Sequence, residues 1–296
     1  MTVLLQVLTL GLLMLCGLIA VRFRVLDQKG VGALNTFVLY FAQVGLIISK
    51  LQQDSNPELV VELAWMFALT CLTIALSGVI ASRLFRREEH DRHAVLTCLS
   101  MVSNCGYMGY PVIIATMGED ALIYAVVFVA AFNLMCWTMC AYYFGGKEAM
   151  QPKRLLSNPS LIAVIIGLAL FLTGWRLPGF INSALSMLGD TTTPLAMFVI
   201  GARLISLRPH HLKDTKLLLV CLLRLLVFPL AILLLRLTPL PRTVVDALYL
   251  CTAMPCAALT AMQADLFDCD TELASRGVAV STALSLITVP LMLMLI

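Results

Sequence analysis

Apolar runs long enough to cross a bilayer alternate with short polar connectors along almost the whole chain. Ten such runs can be marked, at 3–21, 31–49, 59–82, 94–117, 121–144, 158–175, 181–205, 216–236, 243–264 and 273–295. A helix rising 1.5 Å per residue needs about 20 residues to cross the hydrocarbon layer. The pattern therefore predicts an all-α polytopic membrane protein with ten transmembrane helices. Two of the runs carry residues that break helices: "MVSNCGYMGYPV" at 101–112 in the fourth, and "CTAMPCAAL" at 251–259 in the ninth.

Those breakers have a physical consequence. Pro111 and Pro255 lack an N–H, and a proline ring clashes with the carbonyl four residues earlier. Gly106 and Gly109 add backbone freedom. Unpaired backbone groups are costly in hydrocarbon, so an unwound segment persists only where protein or a water-filled cavity satisfies it. A broken helix also presents N-terminal half-helix ends with partial positive charge, suited to an anion, and Asn104 adds an amide that both donates and accepts. Five runs in each half is an odd number, so a repeat of residues 1–146 in 147–296 must be inverted. The second run ends "FAQVGLIISKL" and the seventh "PLAMFVIGARL", both closing on a basic residue and leucine. Paired broken helices meeting at the bilayer midplane are the signature of an inverted-repeat transporter.

Composition agrees with a lipid environment. Of 296 residues 60% are hydrophobic and 12% charged, with a mean hydropathy of +0.95, whereas soluble domains carry about 25% charged residues. The net charge of +3 is spread over connectors and gives no footprint for nucleic acid. Most cysteines, including Cys71, Cys98, Cys136, Cys140 and Cys221, lie in apolar runs, where a free thiol behaves as a small hydrophobe. Cys136 and Cys140 share a helix face, yet no His or carboxylate accompanies them as a metal site would require. The first run lacks a basic segment ahead of it and a small-x-small cleavage pattern, so it reads as a retained span and not a signal peptide.

Connector charges orient the chain. Basic residues collect after runs one, three, five and seven: Arg22, Arg24 and Lys29; Arg83, Arg86, Arg87 and Arg92; Lys147, Lys153 and Arg154; Arg203, Arg208, Lys213 and Lys216. The alternate connectors hold only Lys50, Arg176, Arg236 and Arg242. The positive-inside rule then places both termini outside the cytoplasm, in a cell (inner) membrane. His90 with His93, and His210 with His211, fall in cytoplasmic connectors and read as solvated surface. Asp265, Asp268, Asp270 and Glu272 lack the spacing and central glycine of an EF-hand calcium loop.

These motifs resemble the auxin efflux carrier family, which includes plant PIN-type carriers and bacterial malonate-transporter-like proteins. The resemblance rests on "NCGYMGYPV", "SNPSLIAVIIGLAL", "LGDTTTPLAMFVIGARL" and "LASRGVAVSTALSLITVPLML", and runs through nearly the whole chain. It implies a 5+5 inverted repeat with helices four and nine crossing at their prolines. Helices one, two, six and seven would form a scaffold, often a homodimer interface, and the rest a moving transport domain. It further implies elevator-type transport of small organic anions, with Asn104, Gly106, Gly109 and Pro111, and the motif's aromatic Tyr107, on one side of the crossing and Met254 and Pro255 on the other. The sequence departs from the family where "CAALTAM" has no asparagine after Pro255, leaving Thr252 and Thr260 as polar substitutes. It also has no proline near Phe41 to Gln43, and its connector between helices five and six is short, as in bacterial-type members.

Charges inside spans tend to be functional. Asp190 is followed by Thr191, Thr192, Thr193 and Pro194, and is a candidate cation or proton site for coupling or a buried structural carboxylate. Arg224 is expected to snorkel, to pair with a carboxylate, or to face the substrate. Asn133 and Gln43 are expected to make interhelical hydrogen bonds. The chain has no "GxxxxGK[ST]", "HExxH" or "GxSxG" motif, so it is expected not to be an enzyme and to need no cofactor beyond H+ or Na+ as coupling ion. The sequence thus points to a secondary transporter of a mono- or dicarboxylate. A cation–proton antiporter, which would want carboxylates beside the crossing, and a membrane sensor or channel are the alternatives.

Overall fold

The computed structural model describes residues 3–54, 56–150, 158–206 and 214–296, and these form helices joined by short connectors, without a β-strand among the described residues. Several connectors end in an N-capping side chain that satisfies the first free N–H groups of the next helix. Helix α1 is Val3–Arg22. Asp27 then caps α2, Gln28–Lys50, by accepting from Gly30 N–H at 2.7 Å. Asn56, followed by Pro57, starts α3, Pro57–Leu84. The fourth run is two helices, α4 (His90–Met101) and α5 (Cys105–Met117), and the fifth is α6, Glu119–Gly145.

In the second half, Asn158 with Pro159 starts α7, Pro159–Thr173, which ends on Gly174 in the left-handed conformation at φ 68°. The seventh run is α8, Gly179–Asp190, and α9, Thr192–Arg203, separated only by Thr191. Asp214 caps α10, Thr215–Leu237. The ninth run again divides, into α11 (Arg242–Thr252) and α12 (Leu259–Leu266), and Asp270 caps α13, Thr271–Leu293. Lys153, Arg154, Arg208, Lys213, His210 and His211 lie outside the described residues.

Helices α2, α3, α6, α10 and α13 are each long and apolar enough to cross a membrane, and Leu8–Arg22, α5 and α7 are shorter apolar segments. Among the described residues, four helices contain a wider π turn: Val38–Ala42, Cys105–Gly109, Cys136–Cys140 and Leu223–Val227. Such turns realign side chains within a helix and frequently mark functional sites.

Close backbone packing joins α1 to α9 and α2 to α8. A Cβ on Gly17 would run into the Phe198 carbonyl, and one on Gly201 into the Met14 carbonyl. Likewise a Cβ on Gly45 would lie 2.5 Å from the Leu185 carbonyl oxygen. Small residues at such contacts let helices associate where lipid supplies no hydrophobic drive between them.

Polar contacts gather at two ends of the molecule. At one end Lys50 pairs with Glu119, Arg176 with Asp54, and Arg236 with Asp246 at 2.7 Å, while Arg236 Nη1 also donates to the Leu295 carbonyl. At the other end Arg92 pairs with Asp214 at 2.7 Å and Lys216 with Glu88 at 3.2 Å, and the Phe144 and Phe267 rings stack at 6.0 Å.

Candidate substrate site at the helix crossing

The two interrupted helices meet at their interruptions. Helix α4 stops at Met101, Val102 turns extended at φ −116° and ψ 132°, and Ser103 forms an isolated antiparallel bridge with Cys256. Asn104 N–H donates to the Pro255 carbonyl at 2.7 Å, and Ala257 N–H to the Val102 carbonyl at 3.2 Å. Cys256 N–H finds Ser281 Oγ of α13 at 3.1 Å. The unwound strands thus satisfy each other inside the protein, as buried backbone must.

This geometry corrects two sequence expectations. The first break falls at 102–104, seven or more residues before Pro111, which instead sits in the first turn of the α-helical part of α5, right after the π turn. Helical winding runs from the π turn through Pro111 into the α-helical part of α5, so this proline does not mark the break where it was expected to. Pro255 does lie in the crossing. Arg224, for its part, neither snorkels nor pairs with a carboxylate. It is 2% exposed, and its guanidinium donates to the carbonyls of Ser100, Met101, Thr252 and Met254.

Beside the crossing is a cavity with two adjoining lobes of about 400 and 240 Å³. Asn35, Asn104, Tyr107, Arg203, Ala258 and Ala261 line both. The N-terminal ends of α5 and α12 therefore open onto it, with α2 and α9 as the facing wall. Tyr107 Oη donates to Asn35 Oδ1 at 2.9 Å across that gap. Gln43 Nε2 donates to the Gly106 carbonyl, and Ser160 Oγ to Gln43 Oε1 at 3.0 Å, which ties α5 to α2 and α7. Asn158 Nδ2 donates to Asn133 Oδ1 at 2.8 Å, and both residues line the larger lobe. Among the described residues the walls combine carboxamides, one phenol and one guanidinium, and no carboxylate lines either lobe.

Of the residues singled out from sequence, Asn104, Gly106 and Tyr107 line the cavity. Gly109 is packed against Cys105 and Met254, and Pro111 is buried in α5. Thr252 and Met254 offer their carbonyls to Arg224, and the hydroxyls of Thr252 and Thr260 are buried with no hydrogen-bond partner. Asp190 is exposed at the end of α8 and lines neither lobe. Gln43 and Asn133 make hydrogen bonds between helices, as expected. Sequence reasoning missed Asn35, Asn158, Ser160 and Arg203. The signal for Asn35 was a lone carboxamide inside the apolar run "GALNTFVLY".

Away from the cavity, His90, Asp91 and Cys269 bring one ligand atom each within 4.8 Å of one another. Partial burial and then the Asp91 charge push the Cys269 thiol up to about 11. His93 faces elsewhere, toward the Ser82 carbonyl at 3.0 Å.

A helical membrane protein whose broken helices cross beside a polar cavity belongs to the class of membrane transporters. Sequence comparison agrees: the membrane transport protein family matches residues 2–152 and 147–293, and the chain belongs to this family, that of the auxin efflux carriers. It is 30% identical to an uncharacterized transporter of Methanothermobacter thermautotrophicus, over 96% of this chain and 95% of that protein. It is 26% identical to an uncharacterized transporter of Methanocaldococcus jannaschii, over 96% of both chains. A Rhizobium meliloti protein named "Putative malonate transporter" is 25% identical over 63% of this chain and 62% of its own length.

Proposed function

We propose that this protein is a secondary transporter of small organic anions, mono- or dicarboxylates, working by elevator-type alternating access. The observation that carries this reading is the convergence of two N-terminal half-helix ends and Arg203 on a carboxamide-lined cavity free of carboxylates. Each element favours negative charge: the half-helix ends through their dipoles and free N–H groups, the guanidinium through its planar fork. The volume lies within the range of small-molecule sites. The malonate in the Rhizobium relative's name is a substrate of the same chemistry.

In this reading α1, α2 and α7–α9 form the scaffold and, in pairs of protomers, a homodimer interface, while α3–α6 and α10–α13 carry the substrate. The repeat is 1–146 and 147–296, with ten crossings and both termini outside. The sorting of connector ion pairs into two ends supports those crossings. Connectors after α2, α5, α7 and α10 meet at one end and those after α3, α6, α9 and α12 at the other. A cation–proton antiporter is disfavoured because, among the described residues, neither Asp190 nor any other carboxylate lines the cavity.

Reconstituted protein tests the reading. Saturable uptake of labelled malonate or a related acid, lost in Asn104→Ala, is expected. An ohmic current that does not saturate would identify a channel instead.

A further inference from the structure

Where two broken helices cross, their C-terminal ends face each other. Each end has carbonyls without an intrahelical partner and carries roughly half a negative charge. Both ends here lie in buried protein, away from the water that could solvate them. Membrane proteins with this problem commonly place a cation among the carbonyls. In this chain the place is taken by a side chain. Arg224, on the π turn Leu223–Val227 of α10, donates from Nη1 to Ser100 and Met101 at 3.5 and 3.3 Å, and from Nε to Met254 at 3.2 Å. Nη2 reaches the Thr252 carbonyl. Two acceptors thus come from the α4 side and two from the α11 side, and no ion pair among the described residues includes Arg224.

We propose that Arg224 is the resident cation of the crossing, a covalently tethered guanidinium that holds both C-terminal ends and fills the carbonyl site an exchangeable cation would otherwise occupy. Because it is tethered to α10, it cannot leave during the cycle, so α4, α10 and α11 move as one body. The crossing itself takes up and releases no ion. Arginine suits the position because four acceptors lie around one planar group, a geometry that a lysine ammonium with three donors does not match.

The test uses purified full-length protein and two readouts, thermal midpoint and uptake. Wild type is expected to have the same midpoint in sodium chloride and in N-methyl-D-glucamine chloride. Arg224→Ala is expected to lose on the order of 10 °C, several buried carbonyls having lost their donor. Low-millimolar guanidinium should restore at least half of that loss and part of the uptake, as free guanidinium enters the vacated site. Arg224→Lys should fall between the two. If Arg224→Ala fails to fold, the wild-type and lysine arms still decide. A wild-type midpoint raised several degrees by sodium, a lysine variant as stable as wild type, or an alanine variant deaf to guanidinium would each overturn the proposal. The proposed anion transport stands or falls separately, on uptake by the wild-type protein.

Discussion

At the scale of single residues, the two cavity groups carried by α9 and α5 should act differently. Arg203 offers a full charge, and a charge-assisted hydrogen bond is worth about 1.5–3 kcal/mol. Arg203→Gln should therefore raise the KM for the organic anion by roughly tenfold to a hundredfold, with kcat moving much less. Tyr107 contributes a neutral hydroxyl bonded to Asn35 at 2.9 Å. Tyr107→Phe should change KM by only about fivefold, the worth of roughly 1 kcal/mol. Initial-rate uptake over a range of substrate concentrations measures both. The two residues also differed in legibility. Tyr107 stands in a stretch whose glycines and proline announce trouble for a helix. Arg203 ends an apolar run, where a basic residue equally well marks a cytoplasmic connector, and only the fold turns it onto the cavity. Gly109 and Pro111 fail in the opposite way: close to Asn104 in sequence, they lie further along α5 and line neither lobe of the cavity.

At the scale of elements, the apolar runs located the helices well, because hydrocarbon imposes length and backbone satisfaction together. The position of the first interruption was not legible. Val102 and Ser103 are ordinary residues in an apolar segment, and they unwind because Pro255 and Cys256 offer backbone partners from a distant part of the chain. No local propensity encodes that pairing. The glycines of α1 and α9 likewise gain meaning only from each other. Gly201→Leu should force the α1–α9 contact apart and cost at least about 1–3 kcal/mol by overpacking, read as a lower thermal midpoint. Helix α10 offers a separate prediction at its start. Asp214 accepts from the Lys216 and Leu217 N–H groups at 3.0 and 3.2 Å and pairs with Arg92. Partial burial pushes its carboxyl up, but Arg92 and the two N–H groups outweigh that and hold it below its ordinary value of 3.8. A depressed carboxyl contributes stability above its unfolded pKa and loses it as pH falls through the folded value. Asp214→Asn should therefore be less stable than wild type near neutral pH, with the gap closing below about pH 4. A gap that stayed constant with pH would remove the charge from the explanation.

At the scale of the whole molecule, the cavity lies between two groups of helices held together by different means. Helices α1, α2, α8 and α9 meet through glycines with their backbones nearly in contact. The crossing and α10 are instead pinned by hydrogen bonds to main-chain groups and to Arg224. Polar bonds join the groups across the cavity: Asn35 with Tyr107, Gln43 with Gly106 and Asn158 with Asn133, besides the Lys50–Glu119 pair at one end. In the elevator cycle proposed above, these two groups slide past each other and the polar seam between them has to open each time. A link across it should therefore arrest transport without unfolding the protein. Asn35→Cys combined with Tyr107→Cys, in a background where the exposed Cys16 is replaced by alanine, can be bridged by a short thiol-reactive reagent cleavable by reductant. Uptake should fall at least about tenfold on bridging, corresponding to some 1.4 kcal/mol or more lost from the moving step. It should return on reduction, while each single-cysteine variant stays active throughout. Unimpaired uptake in the bridged protein would show that substrate passes without the two bodies moving past each other.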